Sequence, residues 1–293
     1  MTDTGSTLPR RQLGRYLREA RTELDMSLER MADLTDLSSS GLQRLETGQP
    51  TRMKVRDLHA ICEVLGLSEE MAAAMIGLLR QSAEPNWWHE YGNLIPATFD
   101  VYVGLETAAQ KLTTYQPSLV PGLLQTADYA AALIQAGTPE ESRAELRRRV
   151  ELRMKRQTIV TRKRRPIVLE VLLHECALRS TVGDHRVMAA QLHYLAEIGK
   201  MLNVTIRVLP FGAGAPVGHP VGQYAILEFG DASDGRSVEP PVVYLETFTG
   251  CMYLEKPEDI RRYDRVHDCL RRASLDEASS RSLLRQVAKE LQA

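Results

Sequence analysis

With 293 residues, 43% of them hydrophobic, the chain is long enough for two domains with cores of their own. A net charge of −1 excludes a wholesale polyanion binder, so any role on nucleic acid must rest on local charge.

Met1 to Pro9 is polar and expected to be loose. Leu13, Leu17 and Ala20 then mark an amphipathic helix. Ser27 to Gly48, SLERMADLTDLSSSGLQRLETG, reads as two short helices joined by a tight turn. Ser27 is a good N-cap, and Leu28, Met31, Ala32 and Leu34 recur at helical spacing after it. Thr35-Asp36-Leu37 interrupts the pattern, Ser38 offers a second N-cap, and Leu42 and Leu45 continue the apolar face. Gly48 stops that helix, with Pro50 just beyond. Ala32 is small, as a steep crossing of two helices requires. Val55, Leu58, Ile61, Cys62 and Leu65 give a further helix ending at Gly66, and Ser68-Glu69-Glu70 opens another through Met71, Met75, Ile76 and Leu79. Glu84-Pro85-Asn86 breaks the pattern, which places domains at 1–84 and 85–293. Trp87, Trp88 and Tyr91 follow and are read as packing between domains in preference to a stacking platform for bases.

Two short helices flanked by longer ones are the set that buries a helix-turn-helix; a plain helical hairpin in a bundle is the bland alternative. In a DNA-binding helix-turn-helix the second helix enters the major groove, and its first turn meets base edges. The exposed positions there are Ser39, Ser40, Gln43 and Arg44, all polar, and Gln and Arg can bond adenine and guanine bidentately. Residues 13–67, with LGRYLREAR, LSSSGLQRLETG and LHAICEVLGL, resemble the Cro/C1 repressor-like (XRE) class of DNA-binding domains. The resemblance implies an all-α, lambda-repressor-like fold, base-reading by Ser39, Ser40 and Arg44, and a phosphate at the helix start formed by Ser27 and Leu28. Asp36 stands where that class commonly has Gly; Asp tolerates the left-handed conformation. Arg15, Arg18, Arg52, Lys54 and Arg56, with Arg10 and Arg11, supply local positive charge that nearby acids almost balance. Affinity for DNA is therefore expected to be modest and strongly salt dependent.

Beyond Phe99 the texture changes. Phe99, Val103 and Glu106 to Ala109 suggest a helix, and KLTTYQP a short strand. LVPGLLQTADYAAALIQAG reads as a turn and an alanine-rich helix capped by Thr126. Thr138-Pro139-Glu140 is expected to start a long helix reaching Arg165, with Leu146, Val150, Met154 and Ile159 as its apolar face. Its other faces carry Arg143, Arg147, Arg148, Arg149, Arg153, Lys155, Arg156, Arg162, Lys163, Arg164 and Arg165: a second DNA contact, a seat for an acidic partner or ligand, or a solvated face. Pro166 ends it, and IVLEVLLHE is a strand. A helix runs from Asp184 to Gly199, then NVTIRVLPF, VGQYAILEF, PVVYLETF and CMYLE read as four strands. Pro257 opens a helix, and Ser274-Leu275-Asp276-Glu277 reads as a capping box for the last one. The second domain is α+β, with a small mixed or antiparallel sheet edged by helices.

LVPGLLQTADYA, RMKRQ, HECALRSTVG, VLPFGAGA, VVYLETFTG and the closing LDEASSRSLLRQVAKEL together resemble a C-terminal domain of unknown function found in actinobacterial regulators, where it follows a Cro-type helix-turn-helix. This implies a transcription factor, often encoded beside a small partner protein and in some cases described as antitoxin-like.

Catalytic readings are weak. His174-Glu175-Cys176 lacks the HExxH spacing that sets two His on one helix face, and reads as a packed strand end. FGAGAPVGHP misses the GxGxxG register and no GK[ST] follows, so it reads as a loop that can cover a ligand pocket with His219 at the rim. Glu228 and Glu246 are expected to point outward from strands, and Cys251 has no nearby base. The four cysteines (Cys62, Cys176, Cys251, Cys269) include no CxxC, and Cys62 and Cys269 are expected as reduced core residues. No apolar run resembles a signal peptide, and none reaches the roughly 18 residues of a membrane span. The sequence therefore predicts a cytoplasmic, dimeric, sequence-specific regulator of double-stranded DNA, not an enzyme, with no cofactor and no metal. A small partner protein or small-molecule effector would act on the second domain, through Arg147, Arg148, Arg153, Arg156 or His219. The competing reading is an antitoxin-like scaffold that binds a small protein, with DNA secondary.

Overall fold

The computed structural model describes residues 7–49, 51, 53–82, 97–230 and 239–292. The chain divides into two compact units, Met1–Gly92 and Asn93–Ala293. The expected boundary at Glu84-Pro85-Asn86, the aromatic residues Trp87, Trp88 and Tyr91, and Pro50 and Arg52 lie outside the described residues. Among the described residues no helix is long and apolar enough to cross a membrane.

The first unit is all-helical: α1 (Thr7–Glu23), α2 (Leu28–Thr35), α3 (Ser39–Glu46), α4 (Val55–Val64) and α5 (Glu69–Ser82). Helix α1 begins at Thr7, earlier than the polar composition suggests. Pro9 lies in its first turn, where a missing N–H leaves no bond unmade. Leu13, Leu17, Met31, Leu42, Leu45, Leu58, Ile61 and Met75 form one sealed core. Each such side chain contributes about 1.5–3 kcal/mol relative to exposure. Val55 and Met71, expected on apolar faces, open their helices at the rim and stay exposed.

The second unit is α+β. Its elements run α6 (Ala97–Ala108), β1 (Lys111–Gln116), α7 (Ala127–Gly137), α8 (Arg143–Arg156), α9 (Thr158–Thr161), β2 (Val168–His174), α10 (Glu175–Arg179), α11 (His185–Ile198), β3 (Val204–Leu209), β4 (Tyr224–Glu228), β5 (Val242–Thr247), β6 (Gly250–Leu254), α12 (Pro257–Ala273) and α13 (Glu277–Glu290). The six strands form one mixed sheet in the order β3-β2-β1-β4-β5-β6. β1, β2 and β3 are parallel, and β4, β5 and β6 add antiparallel on the other side of β1.

Side chains alternate across a strand, so the register sorts the sheet into two faces. Tyr115, Leu172, Leu209, Tyr224, Ile226 and Val243 share one face and pack with Ile260 and Leu270 of α12. Thr114, Ala225 and Tyr244 lie side by side on the opposite face. Glu246 follows Tyr244 by two residues and therefore shares that face; it is exposed, as the strand pattern predicts, and also lines the mouth of a cavity there.

Two helix starts in the second unit differ from expectation. The long basic helix starts at Arg143 because Ser142 and Glu145 form a capping box, which outcompetes Thr138-Pro139-Glu140. Its regular part ends at Arg156; α9 is a single further turn of β-branched residues, which are poor helix formers. In α13 the cap is Asp276, accepting from the Ser279 N–H, while Ser274 closes α12.

Candidate nucleic-acid interface and a cavity over the sheet

The sequence of the first unit sets out a helix-turn-helix cap by cap. Ser27 Oγ accepts the Arg30 N–H at 3.1 Å, which orders the start of α2. Asp36 takes the left-handed conformation (φ 55°) that the turn requires. Ser38 Oγ then accepts the Gly41 N–H at 3.1 Å and starts α3. Gly48, at φ 66°, lets the chain leave α3.

Leu42 and Leu45 face the core, so the opposite face of α3 is fixed by helical spacing. Ser40, Gln43, Arg44 and Thr47 form it and are exposed; Ser39 is half-buried at the first position. Sequence reasoning missed Thr47, which continues the 40–43–44 spacing by one further step. Its hydroxyl is occupied by the Gln43 and Arg44 carbonyls. The N-terminus of α2 leaves the N–H groups of Leu28 and Glu29 outside the intrahelical ladder, as a phosphate contact needs. The Glu29 carboxylate in the same turn opposes an anion there.

The expected phosphate cations are placed unequally. Arg18 and Lys54 are exposed. Arg15 pairs with Glu19 at 3.2 Å and lies over the Tyr16 ring, and Arg56 pairs with Asp57 at 3.1 Å. Exposed pairs of this kind are weak and can exchange for phosphate.

Two buried features hold α3 in place. Arg21 of α1 grips Glu46 with Nε–Oε1 at 2.6 Å and Nη2–Oε2 at 2.8 Å, and its Nη1 donates to the Met26 carbonyl. The bond from Glu46 raises the Arg21 pKa despite the cost of burial. Gly14 lets α1 touch α3: a Cβ there would sit 2.3 Å from the Leu45 carbonyl oxygen and 2.8 Å from that of Glu46.

In the second unit the basic helix is not a uniform solvated face. Arg143, Arg147 and Arg148 point outward, but Arg149, Arg153 and Arg156 turn in. Arg156 is buried against Glu106 of α6 in a bidentate pair, both bonds 2.8 Å, and stacks on Phe99 with its guanidinium 4.8 Å from the ring centre. Arg149 pairs with Glu141. Arg153 donates from Nη1 to Gln125 Oε1 at 2.7 Å. Burial, and then the neighbouring Arg156, lowers the Arg153 pKa to about 10.

These residues roof a cavity whose floor is the Thr114–Ala225–Tyr244 face of the sheet. It has two adjoining lobes, of about 610 and 500 Å³, which share Phe99, Arg153, Arg156, Tyr244, Glu246 and Phe248. It lies over the face of the sheet rather than past the strand ends, with Leu112, Thr114 and Gln116 of β1 in its lining. The 120–126 turn that walls it is braced: Gln191 accepts the Thr126 N–H and donates to the Leu124 carbonyl, and Gln157 donates to the Gly122 and Gln125 carbonyls. His219 is exposed and lines neither lobe, so the glycine-rich loop does not bring it to this cavity. Burial pushes the Glu246 carboxyl up, against the pull of Arg156 and Arg153.

The remaining sequence candidates resolve into local structure. His174 caps α10 by accepting the Cys176 N–H, and Glu175 pairs with Arg179 and accepts the Phe211 N–H. Among the described residues no group of three or more His, Cys, Asp or Glu is placed to hold a metal. None of the four cysteines forms a disulfide; Cys62 is buried, whereas Cys269 is half-buried and its Sγ approaches the Pro216 carbonyl. The buried chain Tyr224 Oη–His267 Nδ1 (2.9 Å) and His267 Nε2–Glu170 Oε1 (3.3 Å) escaped sequence reasoning, because its members come from three separate elements.

A capped two-helix unit with a polar outer face on its second helix defines a helix-turn-helix protein, and residues 12–75 match a helix-turn-helix domain family. That domain suggests a DNA-binding regulator. Residues 99–286 match the family described as Domain of unknown function (DUF5753), and the chain belongs to that family. The order of the two domains supports an XRE-like regulator. No curated protein and no solved structure matches the chain.

Proposed function

We propose that the chain is a sequence-specific, homodimeric transcriptional regulator working in the cytoplasm, in which Ser39, Ser40, Gln43 and Arg44 read base edges. Ser27, Leu28, Arg15, Arg18, Arg52, Lys54 and Arg56 position the phosphate backbone. The second unit dimerises the chain and receives a signal by binding, without catalysis. The observation that carries this reading is the exposed Ser40–Gln43–Arg44 face on the second helix of a capped helix-turn-helix. One recognition helix spans few base pairs, so two half-sites about one helical turn apart are expected.

Genomic fragments captured on the purified protein near physiological salt test it. A short, partly palindromic motif enriched near promoters is the expected result; fragments with no common motif would sink the sequence-reading role. An antitoxin-like scaffold is the second reading, favoured by the exposed basic residues Arg143, Arg147, Arg162, Lys163 and Arg164. It predicts tight capture of a small acidic protein with DNA absent.

A further inference from the structure

We propose that the cavity between α6, α8 and the sheet binds a small zwitterion of the amino-acid class, its carboxylate on Arg153, its ammonium on Glu246 and its apolar body against Phe99 and Phe248. This deepens the regulatory reading by naming the chemistry of the signal.

The argument starts from which charges are already used. Arg156 and Glu106 satisfy each other through two bonds and are closed to a ligand. Arg149 is held by Glu141. Arg153 spends only Nη1, on Gln125; its Nε and Nη2 have no hydrogen-bond partner among the described residues. The Glu246 carboxylate likewise has no bond or ion pair with any described residue, and it does not pair with Arg153 although both line the same two lobes. One open donor fork and one open carboxylate thus line the same open-mouthed cavity, with Glu246 and Phe248 exposed at its rim.

The balance of charge selects the ligand. Arg153 and Arg156 against Glu106 and Glu246 sum to zero, and Arg149 is neutralised by Glu141. A phosphate or other strong anion would meet Glu246 uncompensated, and a simple cation would meet Arg153. A molecule with a carboxylate at one end and an ammonium at the other satisfies both groups. A guanidinium fork matches a carboxylate geometrically. Loss of solvent around the two groups lowers the Arg153 pKa and raises that of Glu246, so each charged form is less favoured than in water. Both groups keep their charge bias toward an oppositely charged partner. Each is therefore stabilised by an opposite charge brought by the ligand. Either lobe, at about 610 and 500 Å³, is large enough to admit a ligand of this size with an apolar side chain.

Isothermal titration of the full chain without DNA tests the proposal, using L-phenylalanine, L-phenylalaninamide and N-acetyl-L-phenylalanine. Phenylalanine is expected to bind saturably, one per chain, at or below about 1 mM. Losing either charge should weaken binding about tenfold or more, as loss of a charge-assisted bond does. Arg153→Gln should narrow the gap between phenylalanine and its amide, and Glu246→Gln the gap between phenylalanine and its N-acetyl form, with folding checked by melting temperature. Equal affinity for the three ligands on the wild-type chain would overturn the assignment, and so would absence of saturable heat with L-phenylalanine, L-leucine and L-tryptophan. Because no DNA is present, failure here is separate from failure of operator binding.

Discussion

Arg44 carries the sharpest expectation at the scale of single residues. It is exposed on α3 one helical turn beyond Ser40, where a guanidinium can bond guanine O6 and N7 together. Arg44→Ala should cost about 1–3 kcal/mol on the correct operator and relax preference at one base position, whereas Arg18→Gln should weaken all sequences alike and flatten the salt slope by about one. Competition binding across a salt series separates the two, and an Arg44→Ala protein with an unchanged footprint and affinity would remove Arg44 from the reading set. The caps at Ser27 and Ser38 and the outer face of α3 were legible in the sequence because each depends on residues a few positions apart. That the exposed Glu246 also borders a cavity was not, because α6 and α8 complete that cavity and periodicity along β5 does not reveal them. Glu170 is a further case. The His267 ring nitrogen 3.3 Å from its carboxylate, with help from Arg271 and Lys111, holds that carboxyl below the usual carboxylate range despite partial burial. A depressed folded pKa contributes stability that is present above the unfolded value, near 4.3, and is lost as pH falls through the folded value. Glu170→Gln should therefore show a shallower loss of stability between about pH 5 and 3, read from denaturant unfolding at each pH. An unchanged acid limb would mean that the His267 contact contributes nothing to it.

At the scale of elements, what matters is how α3 is held. The α1–α3 contact depends on Gly14, since a methyl group there would overlap two backbone carbonyls that cannot move aside. Gly14→Ala should separate the helices and destabilise the first unit by about 1–3 kcal/mol, with operator affinity falling alongside. A variant that melts and binds like the wild type would show that the two helices part without cost. The Arg21–Glu46 pair holds the same C-terminal end of α3, with side chains only 12% and 4% exposed. Glu46→Ala leaves a largely buried guanidinium without its partner and should cost about 3 kcal/mol, read as a shift in denaturant midpoint at constant slope. Neither feature could be read from the pattern: Gly14 falls inside an ordinary amphipathic helix, and Glu46 looks like an exposed residue at a helix end. Contacts across 25 residues are invisible to local periodicity. The basic helix shows the same limit. Its capping box was present in the sequence at Ser142 and Glu145, but the reading favoured Pro139, and only the placement of Glu106 and Gln125 shows which arginines turn inward.

For the whole molecule, operator binding by the first unit and ligand binding in the cavity, both proposed above, would be bound by a thermodynamic requirement. If occupancy of the cavity changes operator affinity by some factor, operator DNA must change ligand affinity by the same factor. Regulatory couplings typically amount to about 1–3 kcal/mol, or roughly 5–150-fold. The full chain as a dimer should first protect two half-sites whose centres are about 34 Å apart, or a multiple of that. Protection of a single half-site would mark a monomeric reader and move affinity onto other contacts. On that operator, the dissociation constant is then measured with and without saturating L-phenylalanine, and the L-phenylalanine constant with and without the operator duplex. Equal fold-changes on the two limbs, lost together in Glu246→Gln, are the expected result and would make the cavity the sensor. A ligand that binds the cavity with the same affinity on and off DNA has no differential interaction with the two states, however tightly it binds, and cannot move the equilibrium between them. In that event the signal must enter elsewhere, and the outward basic residues Arg143 and Arg147 of α8 become the surface to test with a protein partner.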